Sequence, residues 1–218
     1  MIRVDRQDEP AYFDEKVRRR GKEWLSNPNN LAKRRPQDYW RGCSADLEKM
    51  FHSRCGYLAS YLTSGNVDHF VSWKRCKDRN EHHLTYEWTN LRWIHPQLNS
   101  LKGENDLLDP FIVEDEWFDV DLFSYRLIVH TEKIPAALQE LVERTIRLLQ
   151  LDAGTRAENL RAEAVDCFRE GMSLDGVRRR SPMIARALEK LMHSPAPGPE
   201  HQRLRDELLR AHESAHPR

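Results

Sequence analysis

Strand-forming pattern in this sequence is scarce, and that scarcity is its strongest constraint on the fold. Residues 55–73, "CGYLASYLTSGNVDHFVSW", place aromatic and β-branched residues on both sides of "TSGN" and predict a hairpin of two short strands. Residues 117–122, "WFDVDL", alternate in period two, and "YRLIVH" follows after a brief turn, predicting a second hairpin. Two strand pairs of this size cannot close a barrel or a sandwich, so the expectation is a mixed α+β chain.

Helical signals flank both windows. Pro10 opens a segment in which Phe13, Val17 and Trp24 recur at helical spacing, and "SNPNN" ends it. A second helix is expected from Pro36 to about Ser53, with Trp40, Leu47 and Phe51 along one stripe. The polar run "KRCKDRNEHH" reads as a loop, and "LTYEWTNLRWIHPQLNSLKG" leads into a short helix with Gly103 as its C-cap. Beyond Ile134, with Pro135 in the first turn, Leu138, Leu141, Val142, Thr145, Ile146 and Leu149 form an apolar stripe. Leu160, Ala164 and Phe168 mark the next helix, and Met183, Ile184, Ala187, Leu188 and Leu191 another. "SPAPGP" is a breaker, and the helix after it has only Leu204, Leu208 and Leu209 as an apolar edge. A helix with so thin an edge is expected to meet a second protein or to pack weakly at home.

Composition narrows the function classes. The 218 residues include 39% hydrophobic and 32% charged side chains, with a formal net charge of +0. No apolar run approaches the length of a membrane span, and "MIRVDRQDEP" has no apolar signal core, so a cytoplasmic protein without a membrane partner is expected. The neutral total conceals two poles. Residues 16–35 carry eight Lys and Arg against Glu23 alone, whereas residues 104–121 carry eight Asp and Glu with no Lys or Arg. A basic pole of this kind can face phosphate, and the acidic run can border such a surface or dock a basic partner; both can also simply face each other or solvent. Cys43, Cys55, Cys76 and Cys167 form no C-x-x-C pair.

Chemistry concentrates at "GNVDHF", where Asp68 and His69 sit side by side. Asn90 follows in "YEWTNLRW" and Asn99 in "LNSLKG", ahead of Lys102 and Gly103. Imidazole can take a proton from water near neutral pH, and an Asp carboxylate with an Asn carbonyl offers hard oxygen ligands for Mg²⁺ or Mn²⁺. Taken singly, Asp68 also reads as a turn acid, His69 as a half-buried histidine, Asn90 as a turn residue and Asn99 as an N-cap. Adjacent strand residues point to opposite faces, so a shared cleft requires the strand to end or bend at 68–69. Lys74 and Arg75 in the basic loop, and Lys102 one turn past Asn99, are candidate phosphate contacts. Trp73 and Trp93 are candidates for base stacking or for the core.

The ordered set Asp68-His69, Asn90, Asn99 and Lys102-Gly103 resembles the HNH, or ββα-metal, endonucleases. The resemblance implies a fold with N-terminal helices over residues 1–54, a nuclease core and following hairpin over 55–130, and a C-terminal helical region over 131–218. It implies His69 as general base, Asp68 and Asn99 as ligands of Mg²⁺ or Mn²⁺, and Asn90 as the residue bracing the base-bearing strand. Many HNH domains add a structural zinc on two cysteine pairs. The corresponding positions here are Cys55, Leu58, His95 and Leu98, so no structural zinc is expected. "P-x-x-F-x-x-x-V" at 10–17, "R-G-K-x-W-L" at 20–25, "VDHF", "N-S-x-K-G", "LDPF" at 108–111 and "WF-x-V-D-L" at 117–122 resemble the HNH protein of Septu-type and retron-associated anti-phage systems. That branch implies nucleic-acid cleavage alongside an ABC/SMC-like ATPase; the sequence does not separate DNA from RNA, DNA being the expected substrate, and a homodimer is a further expectation. The competing expectations are a degenerate module that binds without cutting and a stand-alone nuclease.

Overall fold

The computed structural model describes residues 1–194 and 198–215, apart from the side chain of Thr155. The chain is α+β, with helices around two separate two-stranded antiparallel sheets. It divides into two compact units. One, the strand–helix unit, comprises residues 3–56 and 62–112; the other, the helical unit, comprises residues 1–2, 57–61 and 113–218. This differs from the expected division at 54 and 130: the N-terminal helices group with the first strand pair, and the second hairpin groups with the C-terminal helices.

In the strand–helix unit, the segment after Pro10 is helical as its apolar spacing requires. A π-helical stretch, Asp14–Arg19, continues into α1 (Arg20–Leu25), burying Phe13 and Val17. Asn27 ends this run and caps α2 (Pro28–Leu31), its Oδ1 accepting from the Asn29 N–H at 3.1 Å. The long helix expected over 36–53 is shorter. A 3₁₀ turn, Tyr39–Cys43, precedes α3 (Ser44–Met50), because Cys43 leaves helical geometry and His52 and Ser53, both at φ 54, stop propagation.

The expected hairpin within 55–73 does not form. β1 (Asn66–His69) pairs instead with β2 (Leu91–Ile94), in the register Val67↔Trp93, Asp68↔Arg92 and His69↔Leu91. The "TSGN" turn signal bends the chain into β1 without joining two strands. Gly65 is obligatory there, since a Cβ would lie 2.4 Å from the Trp93 ring. The segment expected as a loop after β1 is α4 (Trp73–Asp78), capped by Ser72 and burying Trp73 and Cys76, followed by a 3₁₀ turn at His82–Tyr86. α5 (Pro96–Lys102) then starts on His95, whose Nδ1 accepts from the Gln97 N–H at 3.2 Å, and stops at Gly103 with φ 53.

In the helical unit the expected hairpin is present as β3 (Phe118–Val120) and β4 (Leu127–Val129), antiparallel with Asp119↔Ile128. Four expected helices follow: α6 (Ala136–Leu148), α7 (Thr155–Arg169), α9 (Pro182–His193) and α10 (Pro199–Ser214). Between α7 and α9 lies α8 (Leu174–Arg180), which its Gly176 and three arginines disguise in sequence. Val142, Val165, Phe168, Val177, Ile184 and Leu188 fill this unit's core. α10 packs at home: Leu208 is buried, and His212 stacks on Phe168 at 4.4 Å while its Nδ1 bonds the Phe168 carbonyl at 2.8 Å. Within the "SPAPGP" breaker, Pro195, Ala196 and Pro197 lie outside the described residues. No described helix is long and apolar enough to cross a membrane.

Candidate functional site

The candidate site grows from the end of β1. Asp68 is the third residue of that strand and His69 the last, so their side chains leave in different directions and find different partners. Asp68 turns toward α5. Lys102 Nζ donates to its Oδ1 at 2.6 Å and Oδ2 at 2.8 Å, and to the His69 backbone carbonyl. All three ammonium donors are thereby used. Lys102 is 0% exposed and Asp68 4%, so this is a buried ion pair in which neither charge is left alone.

His69 turns toward the N-terminal aromatic cluster. Its ring meets Trp40 edge-on at 4.3 Å, and Nε2 lies 3.0 Å from the Thr85 carbonyl. A carbonyl only accepts, so Nε2 carries the proton and Nδ1 keeps the lone pair. Burial pushes the His69 pKa down to about 4; Asp68 opposes that shift and Lys102 adds to it. The imidazole is therefore neutral at physiological pH, with its tautomer set by the backbone.

Asn90 braces the strand end. Its Oδ1 accepts from the Val71 N–H at 2.7 Å, while Nδ2 donates to the Val71 and Leu84 carbonyls at 3.1 and 3.0 Å. Its own carbonyl accepts from the Phe70 N–H at 2.8 Å. The side chain is buried and every polar atom on it is engaged. It thus ties the chain leaving His69 to the loop that bears Thr85. Asn99 is half-buried on α5, one turn before Lys102. Among the described residues, no hydrogen bond joins its side chain to Asp68 or His69.

Two residues take roles the sequence did not suggest. Lys102, expected to contact phosphate, is sealed and consumed by Asp68. Spacing had placed it on the right helix but could not show which way its ammonium points. Arg92, opposite Asp68 across the strand pair, is 1% exposed and pairs bidentately with Asp109 at 2.8 and 2.6 Å, its Nη1 donating to the Thr89 and Leu91 carbonyls. Asp109 thus does more than make the turn before Pro110, although it also accepts from the Phe111 N–H. In sequence the one signal of Arg92 is its place two residues after Asn90 in "TNLRW". Trp73 and Trp93 are buried, at 7% and 5% exposure, and belong to the core rather than to a stacking surface.

The donor set can be weighed against a divalent ion by its chemistry. Asp68 and Asn99 supply the hard oxygens that suit Mg²⁺ or Mn²⁺, but an ion at Asp68 would share its carboxylate with the Lys102 ammonium. No three His, Cys, Asp or Glu side chains converge among the described residues. Of the positions that correspond to a zinc knuckle, Cys55 is buried with its Sγ accepting from the His95 N–H at 3.4 Å, and Leu98 is buried in the core.

The acidic run 104–121 is divided between the two units and neutralised piecemeal. Glu104 pairs with Lys74 at 3.0 Å, Asp106 with Arg75 at 2.6 Å, and Asp109 with Arg92. In the helical unit Asp119 pairs with Arg186 and Lys190 at 2.9 and 2.6 Å. No protein-family model, no curated protein and no solved structure matches this chain.

Proposed function

We propose that this chain is a metal-dependent HNH endonuclease that hydrolyses phosphodiester bonds. The observation that carries this reading is the clamped histidine at the end of β1. A two-stranded antiparallel pair is followed directly by a helix, and the strand's last residue is a neutral imidazole with one nitrogen pinned to a backbone carbonyl.

In this reading His69 Nδ1 takes the proton from the attacking water. Thr85 fixes the ring through Nε2, and Asn90 keeps the Thr85 loop and the strand end in register. Asp68 and Asn99 would hold a Mg²⁺ or Mn²⁺ ion, which supplies charge stabilisation for the phosphate and the leaving oxygen. Lys102 neutralises Asp68 and holds the His69 carbonyl, so it positions both residues of the pair.

One observation favours a second reading, a module that binds nucleic acid or a partner without cutting: both oxygens of the Asp68 carboxylate already accept from Lys102. The two readings separate when supercoiled plasmid, single-stranded DNA and RNA are incubated with the wild type and His69→Ala in Mg²⁺, Mn²⁺ or EDTA. Cleavage that needs both the metal and His69 supports the nuclease. Binding without cleavage in every condition supports the module. A role as effector of an anti-phage complex, with an ABC/SMC-like ATPase as partner, rests on the sequence resemblance alone. Co-purification of the two proteins tests it.

A further inference from the structure

The basic pole at the N-terminus and the basic helix inside the motif are distant in sequence but joined in the strand–helix unit. The Lys33 carbonyl accepts from Trp73 Nε1 at 3.1 Å and from Lys77 Nζ at 3.4 Å, which fastens the "KRR" run at 33–35 to α4. Lys33, Arg34 and Arg35 are exposed beside it, and Lys74 and Arg79 of the α4 region are exposed as well. α4 begins at Trp73, four residues after His69 closes β1, so the α4 side of this basic face follows the candidate site in the chain.

The aromatic rings beneath the face are already occupied. Trp73 packs edge-on against Trp24 at 6.0 Å and His82 at 5.9 Å, and Lys77 covers its face at 5.3 Å. Lys33 sits over Trp24 at 5.5 Å and Arg20 over Tyr39 at 4.5 Å. The exposed large aromatics among the described residues, Tyr61 and Phe123, belong to the other unit. The face therefore offers charge with no fully exposed ring among the described residues, Trp24 and Tyr39 being half-buried and already covered by Lys33 and Arg20, so an unpaired base finds little to stack on. A single strand gains much of its affinity from such stacking, whereas a duplex presents phosphates whose bases need no partner.

Two acids sit on the same surface. Glu104 holds Lys74, and Asp106 holds Arg75 and reaches Arg79 at 4.0 Å. These pairs are largely solvent-exposed, and exposed pairs contribute little to stability. A polyanion can exchange for them at little cost.

We propose that Lys33–Arg35 and the basic side of α4 form one docking face for double-stranded nucleic acid, read through its phosphates and partly masked by Glu104 and Asp106. The inference deepens the nuclease reading by naming the substrate, and a binding assay in EDTA keeps the two apart, because a binder that never cuts still tests the face. Full-length His69→Ala is titrated by fluorescence anisotropy against a labelled DNA duplex, an RNA duplex, a single-stranded DNA of equal length and a polyglutamate peptide, over a range of salt. Both duplexes are expected to bind in preference to the single strand and the peptide, with affinity falling steeply as salt rises. Adding Arg34→Ala, Arg35→Ala and Lys74→Ala should lower the log–log salt slope by about 1 per side chain, with unchanged thermal melting. Glu104→Gln with Asp106→Asn should tighten duplex binding. Preference for the single strand, equal binding of polyglutamate, or an unchanged slope in the triple variant would overturn the proposal.

Discussion

The two strand pairs of this molecule are close in plan and opposite in environment. Each is a short antiparallel pair followed by helix, and each carries an aspartate on its first strand, Asp68 in one and Asp119 in the other. Each also has a histidine at a strand end: His69 closes β1, and His130 follows β4. Asp68 and its partner Lys102 have side chains 5% and 1% exposed. Asp119 is 15% exposed, and its partners His130, Arg186 and Lys190 are 27%, 28% and 58% exposed. His69 is fixed by a backbone carbonyl, whereas His130 bonds the aspartate itself at 3.0 Å. An acid beside a histidine is therefore not enough to mark a site. What distinguishes the first pair is that its aspartate is matched by a single buried lysine and its histidine by a backbone carbonyl, which leaves Nδ1 of the imidazole outside both contacts.

The largest expected effect tests that distinction in chemistry. His69→Ala should lower cleavage about 10²–10⁴-fold, the usual cost of a missing general base, while circular dichroism and thermal melting show an intact fold. His130→Ala should leave the rate unchanged. If both variants cut at the wild-type rate, the comparison loses its functional meaning.

Stability gives the next contrast. Lys102→Met leaves Asp68 charged and alone in the interior, which should cost about 3–5 kcal/mol in urea unfolding. Lys190→Ala removes an exposed partner from a carboxylate that keeps two others, so the loss should be about 0–1 kcal/mol. Lys102→Met combined with Asp68→Leu should recover much of the single-variant loss, because it removes the unpaired charge. A Lys102→Met protein as stable as the wild type would mean that the pair opens to solvent.

How much of this was legible follows from the range of the interactions. The β3–β4 hairpin, α5 with Gly103, and the stripes of α6, α7 and α9 rest on local periodicity and appeared as expected. The pairing of β1 was not legible, because "TSGN" looks like a hairpin turn while the true partner lies beyond 70–90. α4 was hidden because its buried face is only Trp73 and Cys76 beneath a charged surface. Within the site, Asp68, His69 and Asn90 could be singled out by residue type and order. The Thr85 carbonyl could not, since any residue carries one. The Lys102 ammonium was equally unreadable, because a lysine's spacing says nothing about its direction.

Acid should probe the second pair selectively. Burial pushes the Asp119 carboxyl up, but hydrogen bonds from Lys190 and His130 and the charges of Arg186 and Lys190 outweigh it, so its pKa falls below the ordinary value. A carboxylate depressed in the folded state adds stability above the unfolded-state value and loses it as pH falls through the lower folded value. The stability difference between the wild type and Asp119→Asn should therefore be flat near neutrality and shrink below about pH 4, the ordinary carboxylate range. A difference that grew on acidification would reverse the sign and discard the network as a stabilising one.

The smallest effect concerns how α10 is held. Its ion pair, Arg169 with Glu207 at 3.2 Å, involves side chains 29% and 62% exposed. Arg169 already bonds Asp166 at 2.9 Å on its own helix. Water and Asp166 can both replace Glu207, so the pair contributes little beyond what the buried Leu208 and the His212–Phe168 stack provide. Glu207→Gln should shift stability by about 0.5 kcal/mol or less, within the range of exposed pairs. That shift should vanish in high salt, where a charge interaction at the surface is screened. A loss several times larger that persists in salt would show that charge, rather than the apolar edge, anchors the C-terminal helix.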